Sequence, residues 1–82
     1  MSEVRKVKFT VTGGEAFSED IIVTEPFVQQ CDAVLQQRFA KSAANFVVIW
    51  AGKELNGEDP QLSMLDLGMG HDAQVFLVPR ST

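Results

Sequence analysis

The chain has 82 residues, of which 45% are hydrophobic and 22% charged, and its formal net charge is −4. This length allows one domain with a small core, and the composition is typical of a globular fold rather than a disordered chain. The negative charge argues against non-specific nucleic-acid binding, no apolar run approaches the ~20 residues that span a bilayer, and a single cysteine excludes an intrachain disulfide. We therefore expect a monomeric cytosolic or nuclear domain that binds neither nucleic acid nor membrane.

The first part of the chain predicts a β-hairpin. Apolar and polar residues alternate from Val7 to Val11, which indicates a strand with one buried face. Gly13-Gly14 then suits a reversal that needs positive φ angles. A second strand is predicted through Ile21, Ile22 and Val23, after a long loop over residues 15–20.

A helix is predicted after the hairpin. Thr24-Glu25-Pro26 is a helix-start signal, because the first turn of a helix tolerates proline. The apolar residues that follow recur at three- and four-residue spacing, and the helix should end near Lys41-Ser42. Its apolar stripe contains Val28, Cys31, Leu35 and Phe39. Its polar residues Gln29, Gln30, Asp32, Gln36 and Gln37 are expected to face water.

Two strands in the second half of the chain lack a polar face. One runs from Phe46 to Trp50, and the last runs from Ala73 to Val78. Between them, a short helical turn is predicted to close one end of the core through Leu62, Leu65 and Leu67. One helix covers only one face of such a sheet, so an α+β arrangement follows, and the other face meets solvent or a partner.

The apolar outer face predicts a binding surface. If the two strands are neighbours, the outward residues form one apolar patch of a few hundred Å², roughly the size that is often functional on a small protein. Its members are Val47, Ile49, Phe76 and Val78. The alternative is that a neighbouring domain of the same protein covers them.

The sequence offers little for catalysis or metal binding. Cys31 lies on the buried helix stripe and is interpreted as a core residue, and His71 follows a glycine-rich loop as an exposed side chain. The acidic residues Glu54, Glu58 and Asp59 are interpreted as a solvated loop. We therefore expect no catalytic residue, no metal site and no cofactor.

The segment Val48-Ile49-Trp50-Ala51-Gly52-Lys53-Glu54-Leu55 resembles the strand and turn of the ubiquitin family. Val75 to Arg80 is similar to that family's final strand, and the resemblance spans Val7 to Arg80. It implies the β-grasp fold, in which a mixed sheet wraps around one helix in the order strand, strand, helix, strand, short helical turn, strand. Residues 1–6 would be an N-terminal extension, 7–80 the ubiquitin-like domain, and 81–82 the start of a linker.

Finer features of the resemblance concern particular segments. Ala51 to Leu55, Asp66-Leu67 and the final strand are most similar to the N-terminal ubiquitin-like domain of parkin-type ubiquitin ligases. In contrast, the loop from Ala40 to Asn45 lacks the glycine and proline that are usual in the family.

The resemblance also implies which residues bind partners. Val47 stands where the family has a basic residue, so the patch is more apolar and less cationic, and acidic helices should lose some electrostatic help. Lys53 matches the lysine most used for ubiquitin chain linkage, although a lysine in a polar turn is more often simply solvated. The implied protein-binding residues are Val47, Ile49, Gly52, Lys53, Phe76 and Val78.

The expected function is that of a non-catalytic interaction module at the N-terminus of a larger ubiquitin-pathway protein. It would dock ubiquitin-binding motifs or proteasome subunits through the apolar patch. One alternative is an intramolecular clamp that holds a parent ligase or other enzyme inactive. A second alternative, a conjugatable modifier, is disfavoured because the chain ends Pro79-Arg80-Ser81-Thr82 and lacks the Gly-Gly pair that conjugation requires.

Overall fold

A computed structural model of the chain describes residues 3–80. These residues form five strands, one long helix, a second helix of one turn, and a 3₁₀ turn at Ala43–Asn45. The strands are β1 Val4–Val11, β2 Ala16–Ile22, β3 Phe46–Trp50, β4 Lys53–Glu54 and β5 Ala73–Pro79. The helices are α1 Phe27–Phe39 and α2 Met64–Leu67. None of the helices in this part of the chain is long and apolar enough to cross a membrane.

The strands form one mixed sheet in the order β2-β1-β5-β3-β4. β1 and β5 run parallel at its centre, and the other neighbouring pairs are antiparallel. α1 packs on one face of this sheet, where the inward side chains of the strands and the apolar stripe of the helix form a single core. The predicted α+β fold, a mixed sheet wrapped around one helix, is confirmed, with β4 and the 3₁₀ turn as additional elements.

The core side of α1 begins one residue earlier than predicted. Phe27, Cys31 and Leu35 are buried, whereas Val28 and Phe39 are only half-buried and pack at the margin of the core. The spacing of four residues places the three buried side chains on one stripe, and Phe27 at its start is the residue that the sequence interpretation omitted. Pro26 directly precedes the helix, as expected.

The hairpin is longer than the sequence suggested, and its loop is shorter. β1 begins at Val4, which pairs with Ile22, so residues 4–6 belong to the sheet rather than to an extension. β2 begins at Ala16, which leaves only residues 12–15 for the loop. The predicted start of β2 was wrong because Glu19, a charged residue, occupies one of the strand positions that face the core. The carboxylate of Glu19 lies 2.8 Å from Arg38 of α1, so the inward charge is paired. Residues 1–2 and 81–82, assigned to an extension and a linker, lie outside the described residues.

Two helix residues predicted to face water bind backbone instead. The side-chain amide of Gln30 accepts a hydrogen bond from the N–H of Ile22 at 2.8 Å and donates one to its carbonyl at 2.8 Å. The carboxylate of Asp32 accepts a bond from the N–H of Ala43 at 2.8 Å. Each side chain thus provides an acceptor for a backbone N–H group, one at the end of β2 and one at the start of the 3₁₀ turn. They tie α1 to the end of β2 and to the 3₁₀ turn.

Of the residues predicted to close the core at α2, Leu67 is half-buried and packs against it, but the fully buried side chain of this helix is one that the prediction omitted. Met64 is fully buried, whereas Leu65 is 51% exposed. A helix of one turn presents only one side to the core, and that side here includes Met64. The helix is bounded by a capping box, in which the hydroxyl of Ser63 accepts the N–H of Asp66 at 3.2 Å and the carboxylate of Asp66 accepts the N–H of Ser63 at 3.0 Å.

Candidate protein-binding surface

The apolar patch lies on the outer face of β3 and β5. Val47 stands opposite Val78, and Ile49 stands opposite Phe76 in this antiparallel pair. The alternate residues of these strands point into the core, where Val48, Val75 and Leu77 are fully buried. Phe76 is 45% exposed and the other three patch residues are half-buried. The structure therefore brings together four of the six predicted binding residues, and we call Val47, Ile49, Phe76 and Val78 the apolar patch.

The remaining two predicted residues shape one end of this surface. Ala51 and Gly52 have φ angles of 53° and 77°, and they connect β3 to β4 as a two-residue hairpin turn. Positive φ at both central positions is the conformation that matches the right-handed twist of the flanking strands. Lys53 follows, pairs with Trp50, and places its ammonium 3.1 Å from the carboxylate of Glu58. Gly52 thus sets the turn. Lys53 has the parity of Trp50 and not of Ile49, so it lies on the opposite face of the sheet from the apolar patch.

Asn56, which sequence reasoning missed, positions β3 beneath the patch. Its side-chain oxygen accepts the N–H of Val48 at 2.7 Å, and its amide nitrogen donates to the carbonyls of Phe46 at 3.1 Å and Ala43 at 3.4 Å. These bonds cross between the loop after β4 and the strand that carries Val47 and Ile49. In the sequence, Asn56-Gly57 has the composition of an ordinary polar turn, so no local signal distinguished this role.

Polar residues border the patch on both sides. On the β1 side, Thr10 stands beside Phe76 and Lys8 stands beside Gln74. On the β4 side, Glu54 stands opposite Ile49, and its carboxylate lies 3.5 Å from the guanidinium of Arg80. An apolar centre with a polar border is the usual anatomy of a protein-binding surface.

Other chemically reactive groups lie apart from the patch. Cys31 is buried in the core, and this burial, together with the nearby charge of Asp32, strongly raises the pKa of its thiol. A thiol of that kind stays protonated and packs as a small apolar side chain. Within residues 3–80, no cavity is found, and no three potential metal ligands of the His, Cys, Asp or Glu type come together.

A mixed sheet that holds one helix, with the first and last strands parallel at its centre, is the ubiquitin-like β-grasp fold. Comparison with solved structures identifies the same fold. Over 98% of both chains, this chain is similar to the ubiquitin of Caldiarchaeum subterraneum, with a TM-score of 0.78 and 13% identity. It is also similar to the N-terminal ubiquitin-like domain in the 4931431F19Rik protein, with a TM-score of 0.79 and 18% identity over 100% of this chain and 80% of that one. No protein-family model and no curated protein matches the sequence. The chain therefore has a ubiquitin-like fold.

Proposed function

We propose that this domain is a non-catalytic protein-interaction module that docks ubiquitin receptors or proteasome subunits through the apolar patch. The observation that carries the proposal is the position of Phe76. This residue is 45% exposed and stands directly opposite Ile49, while the alternate residues of the same strands are already buried in the core. A contiguous apolar surface that the fold does not itself bury tends to serve binding, and aromatic side chains contribute strongly when a partner buries them.

The wider setting of the proposal follows from the resemblance in the turn from Ala51 to Leu55. It supports a cytosolic or nuclear ubiquitin-pathway protein as the parent, with parkin-type ligases as the nearest kind. If the partner lies in that same parent protein, the apolar patch would act as an intramolecular clamp. In that case deletion of the domain should raise the basal activity of the parent enzyme.

The test is a ¹H–¹⁵N NMR titration of the 82-residue chain with a ubiquitin-interacting helical peptide. Shift changes should concentrate on the four residues of the apolar patch. Phe76→Ala and Ile49→Ala should each raise the Kd by about tenfold or more, as expected when a central contact residue of an interface is truncated.

The chain offers matched controls outside the apolar patch. Leu65 is 51% exposed on α2, and Val4 is 48% exposed at the start of β1. Leu65→Ala and Val4→Ala remove comparable exposed apolar area and should leave the Kd unchanged. The proposal fails if Ile49→Ala in a folded domain leaves binding unaltered. The absence of any shift would redirect the search to another domain of the same protein.

A further inference from the structure

Three basic residues, Lys6, Lys8 and Arg80, lie on the outer sheet face that carries the apolar patch, and two of them are already paired. The guanidinium of Arg80 lies 3.5 Å from the carboxylate of Glu54, and the ammonium of Lys6 lies 3.8 Å from that of Asp20. Lys8 is exposed, and within residues 3–80 no carboxylate lies within ion-pair distance of it. Among these cations, Lys8 is therefore the one available to a partner.

Lys8 is close enough to the patch to act with it. In the parallel pairing of β1 and β5, Lys8 stands beside Gln74 and Thr10 stands beside Phe76. Lys8 and Phe76 are therefore diagonal neighbours on the same face, about 8 Å apart at their Cα atoms given the usual strand spacing and rise. A lysine side chain covers most of that distance, so one partner segment can contact both residues.

The charge distribution of the domain points to an acidic partner on this face. The outward faces of the strands, with the adjoining Arg80, carry three basic residues, Lys6, Lys8 and Arg80, against two acidic ones, Asp20 and Glu54. The other charged residues of the chain comprise four basic and nine acidic side chains, from totals of 7 and 11. The outer sheet face is thus slightly positive on a molecule that is otherwise strongly negative. An anionic partner is repelled elsewhere and tolerated here.

Glu54 restricts where on this face an anion can bind. It stands opposite Ile49 at the β4 side of the patch, where it repels a carboxylate and neutralises Arg80. The β1 side has the opposite character, since it presents the hydroxyl of Thr10 and the ammonium of Lys8, which has no ion-pair partner among residues 3–80. The two borders of the patch therefore differ in charge, and this difference gives a partner a preferred orientation.

We infer that the apolar patch binds an amphipathic segment with a carboxylate beside its apolar contact residues, and that Lys8 on β1 receives this carboxylate. The inference rests on the proposed function and adds the chemistry and direction of the partner. Because the pair is solvent-exposed, it contributes modestly to affinity and mainly selects orientation.

Two synthetic helical peptides test the inference by fluorescence anisotropy. One carries leucine and alanine on one face with glutamates beside them, and its twin has glutamine at every glutamate position. Lys8→Gln should raise the Kd for the acidic peptide by about threefold and leave the Kd for the glutamine twin unchanged. Glu54→Gln should lower the Kd for the acidic peptide by about twofold, because the substitution frees Arg80 and removes a repulsive charge. Lys41→Gln, which removes an exposed lysine beyond the end of α1, is the control for net charge and should change neither Kd.

The outcomes separate this inference from the proposed function. If Ile49→Ala weakens both peptides while Lys8→Gln acts on both equally, on neither, or no more than Lys41→Gln does, the role of Lys8 is overturned and the patch still stands as a docking surface. If neither peptide binds, or if Ile49→Ala changes neither Kd, the proposed function and this inference are overturned together.

Discussion

The same substitution, alanine to glycine, should have opposite effects at three exposed positions of this domain. Ala40 directly follows α1 with a φ angle of 56°, and Ala51 lies in the β3–β4 turn with a φ angle of 53°. Ala33 is exposed as well, but it lies in the interior of α1. The side chains at all three positions face solvent, so the backbone conformation should decide the sign.

The magnitudes follow from the left-handed conformation. An L-residue with a Cβ atom loses about 1–2 kcal/mol there because the Cβ crowds the carbonyl oxygen, and glycine escapes this clash. Glycine also gains about 0.4–1 kcal/mol of unfolded-state entropy, which offsets part of the benefit. Ala40→Gly and Ala51→Gly should therefore each raise the free energy of unfolding by about 0.5–1 kcal/mol, or the melting temperature by roughly 2–8 °C in a domain of this size. Ala33→Gly should lower the free energy of unfolding by about 1 kcal/mol.

Urea and thermal unfolding followed by circular dichroism and by the fluorescence of Trp50, the single tryptophan, would measure these changes. Equal m-values across the three variants would show that the folded and unfolded states are comparable. If Ala40→Gly and Ala51→Gly destabilise the domain as Ala33→Gly does, the left-handed conformations at these turns are not strained, and the reasoning is refuted.

Two further predictions concern polar side chains. Asn56→Ala leaves the buried N–H of Val48 without an acceptor and should lower the free energy of unfolding in urea by about 2–3 kcal/mol; a loss no larger than that of the exposed control Gln61→Ala would contradict this. The pKa of Asp66 is lowered by the backbone N–H of Ser63 and by its hydroxyl. Because this pKa is lower in the folded state, the ionised carboxylate stabilises the domain at pH values above the unfolded-state pKa of about 4. This stabilisation is lost as the pH falls through the folded-state pKa. Asp66→Asn should therefore show a smaller fall in its urea midpoint than the parent chain between about pH 5 and pH 2; parallel curves would count against it.

Much of the fold could be predicted because its signals are local. The apolar stripe of α1, the two-sided apolar character of β3 and β5, and the glycine turn at Gly52 are properties of neighbouring residues in the chain. Periodicity reports which side of a helix or strand avoids water, whatever the element packs against. The strand β2 was misread where that pattern fails, because an inward Glu19 is stabilised by Arg38, nineteen residues away in sequence.

The side chains that bind distant backbone could not be predicted in the same way. Asn56 and Gln30 look like ordinary polar residues of a turn and a helix, and the backbone groups of β3 and β2 that they bind are eight or more residues away. An amide side chain pairs equally well with water or with any free N–H and carbonyl. Only the folded arrangement shows that backbone groups of β3 and β2 lie within reach of these two amides.

The second apolar face of β3 and β5 is legible in the sequence, since alternation alone assigns side chains to the two sides of a strand. Alternation does not establish that these strands are neighbours, because backbone hydrogen bonds are chemically the same between any two strands. The packed sheet sets the pairs, in which Ile49 faces Phe76 and Val47 faces Val78. It also placed Arg80 3.5 Å from the carboxylate of Glu54, whereas no carboxylate of residues 3–80 lies within ion-pair distance of Lys8. Those facts depend on distances between segments far apart in the chain, which the packing of the sheet around α1 sets.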